Sequence, residues 1–295
     1  MKGKGGAKNV EEAVWRYKAP PAFSEFQRKR WQALLAARTG ISYALHTSIL
    51  QAGVYRRMVE VGCEDYDTYF HLVQDGIAGR REWAELLNYV TVQDTRFFRD
   101  LDAFNYLKAY LLQRIPSLDK RHDTLEMWSA GCASGEEAWS LALLAQQCIE
   151  LSRRELYYGV LGTDISGGAL ARARGGIYRE SQLANIDQDT RRRWLQPAGE
   201  SSFRVVAEIA QRVCFVHANL TATDEGTHGK MDVIFCQNVL IYFKQQCRKK
   251  VLDSLMAKLK PGGLLLLGAG ESGGWRHRDV DPVRCRQMEA YLRNG

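Results

Sequence analysis

Short apolar runs alternate with amphipathic segments in the second half of the chain, and this alternation limits the fold more than any other feature. Beyond Pro116, strand-like runs and segments of helical periodicity follow one another with short connections. Such a pattern is typical of a parallel sheet that helices cover on both faces, so an α/β domain is expected. The predicted strands are 125–130, 157–164, 213–218, 231–236 and 264–267, and the predicted helices are 136–151, 169–174 and 244–259.

One stretch interrupts this alternation. Residues 179–212 contain three consecutive arginines, a turn-forming stretch at 197–202 and a β-rich run at 203–206. We therefore expect a small antiparallel β-subdomain inserted in the α/β domain at about 179–212.

The first third of the chain has a different pattern. Between residues 23 and 90 apolar side chains recur at helical spacing, and Gly40, Gly62 and Gly76 lie where helices are expected to end. A further helix is predicted from about Thr95. The expected domains are a flexible basic lead-in at 1–22, a small all-helical domain at 23–92 and the α/β domain at 93–295.

Cysteine content and charge exclude several classes of protein. No apolar run approaches the ~20 residues needed to cross a bilayer, so a cytoplasmic protein without membrane insertion is expected. Seven cysteines without a C-x-x-C pair argue against a disulfide framework, and six histidines without paired ligand spacing argue against a metal site. Residues 1–60 carry eleven Lys/Arg and four Asp/Glu, which indicates an acidic partner: a nucleic acid, a membrane surface or an anionic protein.

The residues that close each predicted strand are the candidates for chemistry, because open parallel sheets bind ligands outside the carboxyl ends of their strands. After the first strand, residues 131–135 are small and let a backbone approach a ligand, and Glu136 and Glu137 follow. The segment is not G-x-G-x-x-G, and two carboxylates would repel a pyrophosphate but attract a cationic ligand. Alternatively, the glutamates favour the positive N-terminus of the helix.

Three further strands end in polar residues. Asp164 can accept hydrogen bonds from two ribose hydroxyls, or it caps the next helix. Asn219, followed by Leu220, can read the edge of an adenine, or it is a turn residue. The fourth strand ends at Cys236-Gln237-Asn238 and runs into Tyr242, which is either a ligand contact or a core aromatic residue with its hydroxyl at the surface.

Together these segments resemble the CheR-type chemotaxis receptor methyltransferases, from about residue 22 to residue 272. The resemblance implies a Rossmann-like class I methyltransferase domain that uses S-adenosylmethionine, releases S-adenosylhomocysteine and needs no metal. It also implies O-methylation of glutamates on the cytoplasmic helical bundle of chemoreceptors by a monomer that binds no nucleic acid. The motifs that carry it are 95–100, 128–137, 162–165 with 173–178, and 235–243 with 259–263.

The resemblance implies roles for individual residues. The residues expected at the cofactor are Gln93, Thr95, Arg99, Glu137, Asp164, Asn219, Leu220, Cys236, Gln237 and Asn238, with Glu137 near the methionine end, Asp164 at the ribose and Asn219 with Leu220 beside the adenine. Arg99 and Tyr242 are expected to position the substrate carboxylate. Arg56 and Arg57 are expected to dock the receptor, and the alternative for both is that they are simply solvated.

The chain departs from the family pattern in several places. Gln93 stands where the family usually has Asn, and Gln237 stands where it usually has Arg, so a positive charge near the site is missing. The second helix has Gly53 and Val59 in a region where the family presents arginines, which suggests a pilus-associated, PilK-like paralogue. The turn at 197–202 is short for the family, so tethering to a receptor tail peptide is not expected. A small-molecule methyltransferase and a non-catalytic binding module are the competing functions.

Overall fold

A small helical domain opens the part of the chain that the structure describes. The structure is a computed structural model and describes residues 23–44, 46–119, 121–222, 229–283 and 288–295, so the predicted lead-in at 1–22 lies outside it. The helices of this domain are α1 (Glu25–Thr39), α2 (Thr47–Glu60), α3 (Tyr66–Leu72) and α4 (Gly76–Val90). They pack around the almost fully buried Trp31, Leu50 and Tyr69. Gly40 adopts a left-handed conformation with φ 76° and ends α1, as the sequence predicts.

The larger domain combines strands and helices. In chain order its strands are β1 (Thr124–Ala130), β2 (Tyr157–Asp164), β3 (Ile177–Arg179), β4 (Leu195–Pro197), β5 (Ser202–Val205), β6 (Val213–His217), β7 (Met231–Cys236), β8 (Leu259–Gly268), β9 (Val280–Val283) and β10 (Met288–Arg293). Its helices are α5 (Leu101–Arg114), α6 (Glu136–Leu151), α7 (Gly167–Gly175), α8 (Gln188–Trp194), α9 (Ala207–Ala210) and α10 (Gln245–Lys258). Among the described residues, no helix is long and apolar enough to span a membrane.

The central sheet has seven strands in the order β6-β2-β1-β7-β8-β10-β9. The five strands from β6 to β8 are parallel, as the alternating pattern predicts. Successive residues of β1 face opposite sides: Met127 packs in one apolar cluster with residues of α5 and α6, and Trp128 packs in another with residues of α10. Strands β9 and β10 are not among those predicted from the sequence, and β10 pairs antiparallel with both β8 and β9.

The helix predicted from about Thr95 begins later, at Leu101. Asp100 is its N-cap, and the Asp100 side chain accepts a hydrogen bond from the backbone N–H of Ala103 at 3.1 Å. Phe98 has φ 47°, which lies outside the right-handed helical region. Residues 95–100 therefore form an irregular segment, although their apolar spacing is helical.

The inserted β-subdomain is a three-stranded antiparallel sheet in the order β3-β5-β4. Pro197 pairs with Phe203, so the turn between β4 and β5 comprises only residues 198–201. The subdomain contacts the loop between β1 and α6 through Tyr178, whose hydroxyl donates to the carbonyl of Ser134 at 2.7 Å. The predicted fold class, an α/β domain with a small antiparallel insertion behind an all-helical domain, is confirmed.

The helical domain packs directly on the carboxyl edge of the large sheet. The backbone N–H of Ser42 donates to the carbonyl of Tyr242 at 2.7 Å, and Ile41 forms an isolated antiparallel bridge with Phe243. On the other side, the Asn88 side chain accepts from the backbone N–H of Gly168 at 2.9 Å. These contacts hold the segment between α1 and α2 above the ends of the strands.

Arg57 is part of an ion pair inside the helical domain. Its Nε and Nη2 donate to the two carboxylate oxygens of Glu82, both at 2.7 Å, and Glu82 is only 8% exposed. Tyr69 donates a third hydrogen bond to Glu82 at 2.6 Å. The fork of Arg57 is thus occupied by a buried partner, whereas Arg56 is largely exposed and contacts Glu60.

Replacing Arg57 by alanine should therefore reduce stability. Removing one partner of a buried ion pair leaves an uncompensated charge, and the free energy of unfolding should fall by about 3 to 5 kcal/mol. Arg56→Ala is the matched control and should change it by less than about 1 kcal/mol, because its ion pair is exposed. Urea denaturation followed by tryptophan fluorescence measures both values. Equal small losses in the two variants would contradict this account of Arg57.

Candidate active site

A cavity opens at the carboxyl edge of the large sheet, between the ends of β1, β2, β6 and β7 and the segments that join α1 to α2 and α4 to α5. Among the predicted site residues, the cavity is lined by Thr95, Arg99, Glu137, Asp164, Asn219, Leu220, Gln237, Asn238 and Tyr242. Residues separated by more than a hundred positions in the sequence therefore share one site.

Gln93 and Cys236 are not among the lining residues. The Gln93 amide donates to the hydroxyl of Ser166 at 2.9 Å, and its oxygen accepts from Arg172, so this side chain ties the segment that follows α4 to α7. Cys236 is fully buried in the apolar cluster that contains Trp128, and burial raises the pKa of its thiol well above the usual value. Cofactor binding by these two residues stays a prediction.

The loop after β1 needs small residues because other segments approach it closely. Gly131 has φ 85°, and a Cβ atom at this position would lie 2.4 Å from Cγ2 of Val239, in the loop after β7. Only glycine avoids both the backbone strain and this collision. The close approach brings the loop after β7 against the loop that precedes α6.

The two glutamates at the start of α6 point to different surroundings. Glu136 is almost fully buried and accepts hydrogen bonds from Ser134 at 2.7 Å and Gln182 at 3.0 Å, away from the cavity lining. Glu137 lines the cavity and accepts from the Ser129 hydroxyl at 2.7 Å. Burial raises the pKa of Glu137 to about 8, although the Ser129 hydrogen bond and the nearby Arg99 lower it. Of the two glutamates, Glu137 is thus the one that a cationic ligand in the cavity would meet.

Asp164 closes β2 and is held by the backbone on both sides. One carboxylate oxygen accepts from the N–H of Ala133 at 2.9 Å and the other from the N–H of Ser166 at 2.8 Å. The alternative that Asp164 caps the next helix is wrong: the N-cap of α7 is Ser166, which accepts from the N–H of Ala169. A carboxylate has about four acceptor positions, so Asp164 retains sites for hydroxyl donors from the cavity.

Asn219 lines the cavity and also acts as a turn residue. Its side-chain oxygen accepts from the backbone N–H and the hydroxyl of Thr221, and its amide donates to the carbonyl of Arg38 at 3.0 Å. The side chain therefore connects the end of β6 to the end of α1. Leu220, which follows, is buried and presents an apolar wall to the cavity.

Gln237 and Asn238 follow β7. The Gln237 amide donates to Asp100 at 3.0 Å and to the carbonyl of Leu267 at 3.3 Å, which ties the strand end to the start of α5. Because glutamine is neutral, the carboxylate of Asp100 has a hydrogen bond here but no opposite charge. Asn238 has φ 59°, a left-handed conformation that asparagine tolerates better than most residues.

Arg99 and Tyr242 lie at the same cavity. Arg99 forms an ion pair with Asp94 at 3.3 Å and donates to the carbonyl of the same residue at 2.6 Å. The Tyr242 ring lies 5.4 Å from the ring of His46. Burial raises the pKa of Tyr242 although Arg99 lowers it, so its hydroxyl stays protonated at neutral pH and can donate a hydrogen bond. A bound carboxylate would meet an arginine fork and a phenol.

Sequence reasoning missed Asp94, His46 and the segment around Ile41, all of which line the cavity. Asp94 had a detectable signal, because it lies in the same short motif as Thr95 and Arg99. His46 and Ile41 had none. They reach the site only because the helical domain packs on the sheet, and no local pattern predicts such packing.

The fold and the acidic cavity at the strand ends define a class I S-adenosylmethionine-dependent methyltransferase. Residues 93–289 match the family described as "CheR methyltransferase, SAM binding domain", and residues 27–91 match "CheR methyltransferase, all-alpha domain". The chain belongs to the CheR methyltransferase family. The predicted family, enzyme class and cofactor are confirmed.

Named relatives agree with this family. The chain is 31% identical to a chemotaxis protein methyltransferase of Escherichia coli K12 over 85% of this chain and 86% of the relative. It is 34% identical to chemotaxis protein methyltransferase Cher2 of Pseudomonas putida over 70% of this chain and 75% of the relative. It is 33% identical to the chemotaxis protein methyltransferase of Vibrio parahaemolyticus over 75% of this chain and 80% of the relative.

The donor set in the cavity fits S-adenosylmethionine. Glu137 is a poorly compensated acid that would hold the ammonium group, and Asp164 has free acceptor positions for ribose hydroxyls. Leu220 supplies an apolar surface for an adenine ring.

Cofactor binding should release a proton from Glu137. Since its pKa is about 8 in the free protein, the carboxyl is mainly protonated at pH 7, and a nearby ammonium favours the ionised form. Affinity should therefore rise with pH up to about 8 and then level off. Calorimetry with S-adenosylhomocysteine at pH 7, in two buffers of different ionisation enthalpy, measures the released proton.

The matched variant is Glu137→Gln, which has no proton to release at this position and should show the same heat in both buffers. Identical heats for the unmodified chain in the two buffers would contradict the assignment of Glu137 to the cofactor ammonium.

Proposed function

We propose that this chain transfers the methyl group of S-adenosylmethionine to glutamate side chains of chemoreceptors, on their cytoplasmic helical bundle. The observation that carries the proposal is that Arg99 and Tyr242, which suit a carboxylate, line the same cavity as Glu137 and Asp164, which suit the cofactor. The names of the relatives, which are chemotaxis protein methyltransferases, support the receptor as substrate.

The reaction needs orientation more than proton transfer. Bound S-adenosylmethionine supplies an electrophilic methyl group on a sulfonium. The substrate glutamate, with a reference pKa of about 4.3, is already ionised at neutral pH, so the chain does not have to provide a general base. A C–O bond forms as the C–S bond breaks, and no proton moves. The task of the protein is then to hold the carboxylate in line with the methyl group and to exclude water.

Arg99 and Tyr242 are proposed to hold the substrate carboxylate. The guanidinium fork of Arg99 matches a carboxylate, and Tyr242 can donate one further hydrogen bond. Asp94 occupies part of this fork in the structure, and its ion pair with Arg99 is exposed. An incoming glutamate would therefore replace Asp94 at little cost, because exposed ion pairs are weak.

Methyl transfer to receptor-containing membranes tests the proposal. With labelled S-adenosylmethionine, the chain should label the receptor, and mild base should release the label as methanol. Tyr242→Phe should bind cofactor normally but lose about 10- to 100-fold in kcat, because the hydroxyl acts on the substrate only. The proposal would be contradicted if the receptor is not labelled, whether a small molecule is methylated instead or nothing is methylated.

Arg56 is the better candidate for receptor docking, since Arg57 is engaged with Glu82. Arg56 lines a groove between α2, α4 and α7, together with Arg172 and Tyr89. Ile49 lines both this groove and the active-site cavity, so the two are adjacent. Basic side chains beside the cavity would attract an acidic helix surface and orient it.

Reversal of this charge should weaken receptor recognition. Arg56→Glu should raise the apparent KM for receptor about twofold to fivefold, in line with an exposed ion pair, and reduce its salt dependence. The cofactor Kd should not change. The matched control is Arg80→Glu, which makes the same charge change on the exposed face of α4, outside the groove lining.

An equal rise in KM for both variants would show that only net charge matters.

The β-subdomain is not proposed as the main docking site, because its turn at 198–201 is short. Removal of a receptor's flexible tail should accordingly leave the methylation rate nearly unchanged.

A further inference from the structure

Glu271, after β8, is a buried carboxylate that accepts hydrogen bonds from five backbone N–H groups. It is only 1% exposed. One oxygen accepts from the N–H groups of Val239 at 2.9 Å, Leu240 at 2.8 Å and Ile241 at 3.3 Å. The other accepts from the N–H groups of Asn238 at 2.8 Å and Gly268 at 2.8 Å. Such charge-assisted hydrogen bonds are about twice as strong as neutral ones, so this loop is held firmly.

Four of these five donors lie in the segment that leads directly into Tyr242. The segment begins with Asn238 in a left-handed conformation, φ 59°, which turns the chain sharply at the end of β7. Glu271 binds the N–H of Asn238 and the three that follow. Without the carboxylate, these four N–H groups would lose their acceptor, and the N–H of the fully buried Leu240 would be left unpaired in the interior.

The segment also forms one wall of the site. Asn238, Val239 and Tyr242 line the cavity, whereas Glu271 itself is not among the lining residues. On the far side, the carbonyl of Tyr242 accepts from the N–H of Ser42. The Tyr242 backbone is thus held on one side by the helical domain, through Ser42, and on the other by Glu271, through the preceding turn.

We infer that Glu271 is a positioning residue for methyl transfer: its carboxylate fixes the 238–241 turn and so aims the Tyr242 hydroxyl at the substrate carboxylate. The inference rests on the proposed function, in which Tyr242 holds that carboxylate. Glu271 touches neither the substrate nor the reacting atoms, and its effect passes through Tyr242. Misplacement of such a group by about 1 Å costs roughly a hundredfold in rate.

Glu271→Gln is the first test. Glutamine keeps the size of the side chain but turns one acceptor into an NH2 donor, which then faces N–H groups on one side. We expect kcat to fall about 10- to 100-fold by loss of orientation. Hydrogen exchange should speed up at the amides of 238–241 relative to those of β1 and β7. Unchanged kcat and unchanged exchange in the folded variant would overturn the inference.

A double-mutant cycle separates positioning from a general structural role. If Glu271 acts through Tyr242, then Glu271→Gln combined with Tyr242→Phe should have a kcat within about twofold of the lower single variant, since coupled residues are not additive. If the fold-loss in kcat of the double variant equals the product of the fold-losses of the two single variants, the inference is overturned. If Tyr242→Phe alone keeps the normal kcat, the proposed role of Tyr242 fails instead, so the two failures are distinguishable.

Asp232 provides the matched control. It is a fully buried carboxylate at the opposite end of β7, where it accepts from the N–H of Glu126 at 2.9 Å and from Lys260. Asp232→Asn should lower stability but keep kcat at a temperature where the protein is folded. An equal kcat loss in Asp232→Asn would show that Glu271 acts only through stability.

Glu271→Asp serves if the glutamine variant does not fold. It keeps the charge, but the side chain is one methylene shorter and cannot reach Gly268 and the 238–241 turn together. A folded aspartate variant with reduced kcat supports the inference, and one with the normal kcat overturns it.

Discussion

The cost of burying carboxylates at one edge of a parallel sheet shapes this site. Parallel strands bring their carboxyl ends together, so Glu137, Asp164 and Glu271 come to the same edge although they are distant in the sequence. A buried carboxylate needs donors. Glu271 has five backbone N–H groups, Asp164 has two, and Glu137 has the hydroxyl of Ser129. The number of donors parallels the proposed roles. Glu271, which has the most donors, holds the loop, and Glu137, which has the fewest, is proposed to bind the cofactor ammonium.

Local patterns predicted the elements that this edge depends on. The helix at 136–151 and the strands at 157–164 and 231–236 have the predicted bounds. One prediction failed and two strands were not predicted, both for tertiary reasons. The helix after Thr95 is delayed to Leu101 because the Asp100 side chain caps it there and binds Gln237. The antiparallel strands β9 and β10 were not predicted. The direction of a strand depends on which strand it pairs with, and the order of short apolar runs does not specify that pairing.

Side-chain partners were the least predictable feature of the site. The motif residues after each strand could be assigned to the cavity, because the carboxyl ends of parallel strands all lie at one edge of the sheet. The ion pair of Arg57 with Glu82, 25 residues away, could not be predicted, and it leaves Arg56 as the freer of the two arginines. The role of Glu271 was not predictable for the same reason, since four of its five donors are backbone N–H groups of a loop 30 to 33 residues earlier.

A crystal structure of the chain with S-adenosylhomocysteine is the most direct test of the site. We expect the amino-acid part of the ligand beside Glu137, the ribose hydroxyls about 3 Å from the Asp164 carboxylate, and the sulfur facing Arg99 and Tyr242. A ligand whose ammonium lies away from Glu137, or whose sulfur faces away from Arg99 and Tyr242, would contradict the account.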